Sequence, residues 1–394
     1  MERVVVAGAG LAGLQAVIAL RGQGYSGELV LVGAEPHPPY NRPPLSKAVL
    51  LGDADDPTLP FDAAALKVDV RLDTTATDLR EGELDTDAGT LAYDGLVIAT
   101  GAEPFRLPGD GAIYLRTRDD AVALRSRLQA GERVIVVGAG WIGAEVATAA
   151  ARHGCRVTVL EQAATPVTHA LPAEVGRHFA PWYAAAGVEL LCGQRVAAVR
   201  PDGVDLADGR RLSASLVVVG VGVRPATSWL EGSGLALDHG VAVGPDLLTS
   251  WPAVVAAGDV TARWSPRYAT RIRGEHWDDA LRAPAVAAAT LLGRDETYDP
   301  VPYVWSEQFG RFVQYAGHPA ASDRIVWRGD PDRDPSWSAF WLTGDDRLTA
   351  LIAVGRPRDL VQGRRLAGRG VRVDAELLTD PAVSVQATVA GLAG

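Results

Sequence analysis

The chain has 394 residues, 47% of them hydrophobic and 22% charged, with a formal net charge of −10. That length exceeds one ordinary core and predicts two or three domains, while the acidic balance argues against nucleic acid as a partner. No apolar run reaches the roughly 20 residues that span a bilayer, and an apolar strand starts directly after Met1, so neither a membrane anchor nor a signal peptide is expected.

The first predicted unit is a strand over 3–7, the glycine turn GAGLAG with Gly8, Gly10, Ala12 and Gly13, and an alanine-rich helix. The first glycine permits the tight turn, the second lets a pyrophosphate approach the backbone, and the third lets helix and strand pack closely. Phosphates would rest on N–H groups at the positive end of the helix. The next strand runs on to Glu35, spaced to read a ribose. Residues 35–47, EPHPPYNRPPLSK, then read as a stiff proline-rich loop, neither strand nor helix. Short alternating segments at 68–72 and 82–87 lead to LVIATGA over 96–102. That is a buried parallel strand ending at Thr100 and Gly101, where a ligand can meet the backbone. Pro104, Pro108, Gly109 and Gly111 mark a linker.

A second unit repeats the first. A strand over 133–137 enters GAGWIG, with Gly138, Gly140, Ile142 and Gly143, and a later strand leads to Glu161. A helix over 173–186 and strands over 188–191 and 196–199 are expected to follow. SLVVVGVGVRP, 215–225, reads as the last strand of this domain, with Gly222 at its ligand-facing end. One such fingerprint is weak evidence. Two in full strand–turn–helix context, each with an acid about 20 residues on, are strong. A protein that binds two dinucleotides is most simply a flavoprotein passing a hydride from NAD(P)H to FAD. Glu161 is followed by Gln162 and Ala163, with no arginine to receive a 2′-phosphate, so NADH is the expected donor.

The pattern then returns to that of the first domain, with a strand ending at Gly258 and Asp259 and a long helix over 278–292. The FAD-binding domain is therefore expected to be discontinuous, 1–109 with 229–301, around an NAD-binding domain over 110–228. From 302 to 394 a third domain is expected. Its strands over 312–316, 324–328, 338–342 and 348–354 would form an antiparallel sheet of four or five strands. The fold class is α/β, two Rossmann-like dinucleotide-binding domains plus a C-terminal α+β domain. After the strands, Arg356, Arg358, Arg364, Arg365, Arg369 and Arg372 stand against Asp359 alone, a candidate docking patch for an acidic partner.

Only two cysteines occur, Cys155 and Cys192. They are expected to be buried thiols in a reducing cytoplasm, and no CxxC pair is available for dithiol chemistry. Of the 38 basic residues only Lys47 and Lys67 are lysines. A retained lysine in such a chain points to a need for a compact ammonium that arginine cannot replace. Lys67 reads as a surface residue, whereas Lys47 stands in the proline-rich loop.

Across almost its whole length the chain resembles the FAD-dependent ferredoxin reductases of bacterial oxygenase systems. The likeness rests on YNRPPLSK (40–47), ATGA, YLRT (114–117), GAGWIGAE, GVGVRP, AAGDV, RIRGEHW and PYVWSEQFG, in the family's order and approximate spacing. It implies a glutathione-reductase-like fold, FAD and NADH as cofactors, no metal, and a small iron–sulfur ferredoxin as partner, with neither nucleic acid nor membrane involved. The first fingerprint and Glu35 would hold the ADP half of FAD, with Ala76 near the adenine. Arg42 and Arg116 would contact the cofactor, and Asp259 would bond the ribityl chain. Lys47 would lie against the flavin near N5, paired with Glu145, its charge stabilising the anionic reduced flavin. Trp277, next to His276, and Trp305 would flank the isoalloxazine ring. The chain departs from the family after GEHW. Many relatives carry Asn–Ala and then Gln–Gly, where this chain has Asp279–Ala280 and then Ala283–Pro284.

Competing readings are an NADH oxidase, quinone reductase, disulfide reductase or peroxidase on the same fold, and a dinucleotide-sensing interaction protein without turnover. No cysteine precedes Cys155, which argues against forms that need a redox cysteine in the flavin domain.

Overall fold

The computed structural model describes residues 1–390. The chain divides into two compact units. The first comprises Met1–Pro43, Asp56–Glu103 and Val223–Pro300; the second comprises Pro44–Asp55, Pro104–Gly222 and the chain from Val301 onward.

In the first unit five parallel strands stand in the order Val254–Ala256, Gly95–Ile98, Arg3–Ala7, Glu28–Val32, Asp69–Arg71. The central strands are near-continuous Val, Leu and Ile and are buried almost throughout, the pattern of strands covered on both faces. The helices Leu11–Gly22 and Trp277–Leu291 pack on one another. An antiparallel meander (Ala76–Arg80, Glu83–Thr86, Gly89–Ala92) completes the pattern, alongside a small sheet of Val241–Val243, Thr261–Ser265 and Thr270–Ile272.

The second unit repeats the plan. Its parallel sheet runs Glu189–Cys192, Arg156–Glu161, Arg133–Val137, Leu216–Val219, Ala112–Ile113, and its meander is Val196–Arg200, Gly203–Leu206 and Arg211–Ser213. The same unit holds an antiparallel sheet in the order Tyr303–Gln308, Arg311–Gly317, Leu348–Val354, Trp337–Leu342, Arg324–Arg328. Trp337–Leu342 is buried at every position because each face of this sheet has its own cover. Trp337, Ala339 and Trp341 pack with Val175, Phe179 and Trp182, whereas Phe340 and Leu342 pack with Leu360 and Leu366 of the helix Pro357–Arg369. That helix approaches closely because residue 363 is glycine; a Cβ there would stand 2.5 Å from a Leu351 methyl.

Several local expectations are corrected. The helix over 173–186 is broken into Ala173–Gly176, a 3-10 turn Arg177–Phe179 and Ala180–Ala185, with Pro181 in the first turn of the last piece. The strand over 215–225 stops at Val219 and resumes as Val223–Pro225, because Gly222 takes φ +104° and turns the chain. The proline-rich loop is not wholly irregular: it ends in a 3-10 turn, Pro43–Ser46, that feeds the short helix Ala48–Leu51. Both cysteines are free and half-buried rather than fully buried. Among the described residues no helix is long and apolar enough to cross a membrane, and no cluster of His, Cys, Asp and Glu could hold a metal ion.

Candidate active site

The two glycine turns are built alike. Gly8 and Gly138 take φ +116° and +101°, conformations that favour glycine, and their N–H groups donate to Val32 and Leu160. A Cβ on Gly13 would stand 1.8 Å from the Gly8 carbonyl oxygen, and one on Gly143 would stand 2.0 Å from that of Gly138. The third glycine is thus imposed by helix–strand contact. At Gly10 and Gly140, by contrast, an added Cβ meets nothing within 4 Å. Each middle glycine opens onto space at a helix start that no side chain caps. Two uncapped helix N-termini beside open glycine backbone fit the pyrophosphate groups of two dinucleotides.

In the first unit Glu35 accepts hydrogen bonds from the Tyr40 hydroxyl (2.5 Å) and from Arg42 (2.6 Å), and the Arg42 guanidinium lies over the Tyr40 ring. The proline-rich loop is therefore tied to Glu35. Gly101 and Gly258 take φ +72° and +78° at the ends of two neighbouring strands, and Thr100 donates to the Ala226 carbonyl. A Cβ on Gly258 would stand 2.9 Å from that of Ala12, so the first fingerprint turn and the Gly258–Asp259 mouth share one wall. Trp277 opens its helix and donates from Nε1 to Asn41, 2.9 Å away. His276 precedes it as the helix N-cap, and burial lowers its pKa. Ala76 begins the meander and packs on the core of this unit.

In the second unit Glu145 is 2% exposed and receives three donors. Lys47 Nζ lies 2.8 Å from Oε2, the Ser46 hydroxyl 2.5 Å from the same oxygen, and the Ser306 hydroxyl 2.5 Å from Oε1. Gln308 in turn donates to Ser306. The short helix that follows Lys47 is anchored by Arg125 to the Val49 carbonyl and by a His153 ring nitrogen at 2.7 Å from the Leu50 carbonyl. Lys47 remains 16% exposed, so its ammonium is held at one edge of a buried anion. Three donors on one carboxylate satisfy a charge that burial would otherwise make costly. Trp305 stacks on Tyr303 at 5.9 Å, and the Arg364 guanidinium covers the other ring at 4.9 Å. Arg116 precedes the helix Arg118–Arg127, whose start is closed by a capping box between Thr117 and Asp120.

At the second fingerprint Glu161 is buried and accepts from the N–H groups of Ala139 and Ala163, both at 2.8 Å. Ile142, in the first turn of its helix, is largely exposed, and a Cβ on Gly222 would meet the Phe105 ring at 3.6 Å. Sequence reasoning assigned no role to Tyr40, Asn41, Ser46, Ser306, Gln308 or Tyr303. All six lie inside YNRPPLSK or PYVWSEQFG, and a short hydroxyl or amide beside a predicted charged residue was the available signal.

Residues 2–283 match the family model described as pyridine nucleotide-disulphide oxidoreductase, and residues 303–389 match the one described as reductase C-terminal. The ferredoxin–NAD(+) reductase component of the anthranilate 1,2-dioxygenase system of Burkholderia cepacia is 38% identical over 97% of this chain and 98% of its own length. Putidaredoxin reductase of Pseudomonas putida is 33% identical over 99% of this chain and 97% of its own. Among solved structures, Fdr9 superposes with a TM-score of 0.94 at 49% identity, covering 98% of this chain and 99% of that one. The reductase in the covalent putidaredoxin reductase–putidaredoxin complex gives 0.93 at 32%, covering 98% and 97%. With its duplicated dinucleotide cradle and appended antiparallel sheet, the chain belongs to the pyridine nucleotide-disulphide oxidoreductase family and carries that family's reductase C-terminal domain.

Proposed function

We propose that this chain is an FAD-dependent NADH:ferredoxin oxidoreductase. It takes electrons in pairs from NADH and releases them singly to a small iron–sulfur ferredoxin that serves a haem monooxygenase or a Rieske-type dioxygenase. The observation that carries this reading is the pair of glycine cradles, equal in geometry and each open to a pyrophosphate. Relatives named as ferredoxin–NAD(+) reductase components of dioxygenase systems match over nearly the whole chain. FAD, when bound, accepts the hydride and separates its two electrons. We assign it to 1–109 with 229–301, and NADH to 110–228. Glu35 and Arg42 would orient the adenosine half, Asp259 the ribityl chain, and Lys47 would hold positive charge toward the flavin. Two free thiols support a place in the cytoplasm.

NADPH should be a poor donor. Glu161 is fixed by two backbone N–H groups and cannot swing away from a 2′-phosphate. Like charges brought together in a desolvated site cost several kcal/mol, so kcat/KM with NADPH should be at least roughly a hundredfold lower than with NADH. Steady-state kinetics giving equal values would refute the assignment of Glu161.

The arginine helix is proposed as part of the ferredoxin dock. Arg358, Arg365 and Arg369 are exposed and recur at i, i+7 and i+11 on one face, beside Val361, which is 52% exposed. Arg356 and Arg364 are half-buried and serve this unit itself: Arg356 pairs with Asp359, and Arg364 donates to the Val301 carbonyl. The basic patch is thus narrower than the sequence implied. Arg358→Glu with Arg365→Glu should slow ferredoxin-dependent cytochrome c reduction, most at low salt, and leave NADH-driven ferricyanide reduction intact. Loss of both activities would make the helix structural, and loss of neither would place the dock elsewhere.

A further inference from the structure

We propose that Asp279 is the group through which this protein couples proton uptake to the charge on its flavin, gaining a proton when the flavin is reduced and losing it when the electrons leave. The inference rests on the assignment of FAD to the first unit, where all the residues involved lie.

Asp279 lies in the first turn of the helix Trp277–Leu291, and that turn abuts the proposed cofactor cradle on two sides. Trp277 is bonded to Asn41, beside Arg42. Ala280 lies 3.8 Å from where a Cβ on Gly258 would stand, next to Ala12 and Asp259. The carboxyl is lodged against the backbone of Gly274: a Cβ there would stand 2.7 Å from Cγ and 2.9 and 3.0 Å from the two oxygens. Only glycine leaves room for it.

Asp259 faces Asp279 from the end of the sheet, and Asp278 adjoins it, itself paired with Arg282 at 2.9 Å. His276 stands at the helix N-cap, near Asp259 and Asp278. From the strand Thr261–Ser265 comes the buried Arg263, which donates to the Tyr298 carbonyl and is shared with Asp299 at 3.3 Å. The buried Tyr298 hydroxyl faces the carboxyl, and among the described residues it has no hydrogen-bond partner in good geometry, which leaves its O–H to turn toward Asp279. Asp279 thus stands among two further carboxyl groups, and the buried guanidinium nearest to it, Arg263, already serves Asp299. Burial, with Asp259 and Asp278 adding to it against Arg263 and Tyr298, pushes the Asp279 carboxyl up to about 7.

The balance is simple. Hydride transfer moves two electrons and one proton from NADH to FAD and leaves one negative charge there. Asp279 carboxylate then takes a proton from solvent, which offsets that charge. When two ferredoxins each accept one electron, the hydride-derived proton and the Asp279 proton both leave. The cycle returns Asp279 to its starting state, and one NADH has given NAD+, two reduced ferredoxins and one proton.

The test is spectroelectrochemical titration of the bound FAD at several pH values from about 6 to about 9, in wild type, Asp279→Asn and Tyr298→Phe. In wild type the protons taken up per two electrons should rise above one just above neutral pH and fall back to one on either side. Asp279→Asn should hold at one throughout, with an unchanged ratio of FAD to protein. Tyr298→Phe removes the hydroxyl that faces the carboxylate and should move the rise to higher pH. Equal slopes in wild type and Asp279→Asn, both with full FAD, would overturn the proposal and leave the FAD reading intact. Absence of FAD from the wild-type protein would instead overturn that reading. If Asp279→Asn fails to retain FAD, an unmoved rise in Tyr298→Phe would also refute the role of Asp279.

Discussion

Lys47→Met is expected to keep FAD and to slow its reduction by NADH roughly a hundredfold, the usual cost of removing one preorganised electrostatic partner of developing charge. Lys47 is paired with Glu145 at 2.8 Å, on a loop stiffened by the 3-10 turn Pro43–Ser46. Methionine fills much of the same volume without the charge, and Glu35 and Arg42, the residues proposed to orient the adenosine half, are untouched. Anaerobic stopped-flow bleaching of the visible flavin band measures the step. An unchanged rate in fully flavinated Lys47→Met would make this lysine a structural member of the Glu145 cluster and nothing more.

Glu145→Ala should have the largest effect on stability, a loss of about 3 kcal/mol or more, because it leaves an ammonium and two hydroxyls without their shared acceptor in a buried place. Ser46 and Lys47 come from the proline-rich loop, Glu145 from the second fingerprint helix, and Ser306 from the antiparallel sheet. One carboxylate therefore joins three separate stretches of the second unit. Glu145→Gln keeps a carbonyl acceptor in the same place and should lose markedly less. Denaturant unfolding of the flavin-containing proteins, followed by tryptophan fluorescence, gives the comparison. Equal stability of Glu145→Ala and wild type would contradict the proposed clasp.

The legible parts of the fold were those set by short-range rules. Gly8, Gly10 and Gly13 announce a turn because each glycine answers a local steric demand, and the same three demands recur at Gly138, Gly140 and Gly143. The Lys47–Glu145 pair came from family resemblance, since no local rule links residues 98 positions apart. Ser46 and Ser306 were missed because a serine beside a charged residue looks like any polar surface position until the fold closes on it. The break at 173–186 was illegible for a related reason. Its apolar residues suit one helix, but His178 must meet Trp327 while Phe179 and Trp182 pack with Trp337 and its neighbours, and the backbone bends to deliver them. The arginine patch narrowed because Arg364 is drawn onto the Tyr303 ring and the Val301 carbonyl, contacts that charge counting cannot reveal.

Pairwise entry and single exit of electrons is the centre of this account, and an anaerobic titration tests it most directly. The flavin-containing protein is mixed with a known amount of NADH, then with an excess of an oxidised iron–sulfur ferredoxin, and both chromophores are followed. NADH should bleach the flavin, and each NADH consumed should yield two reduced ferredoxins as the flavin colour returns. A flavin that NADH bleaches but that stays reduced with ferredoxin, and reoxidises only when oxygen or a quinone is admitted, would contradict the assignment and identify an oxidase or quinone reductase on the same fold.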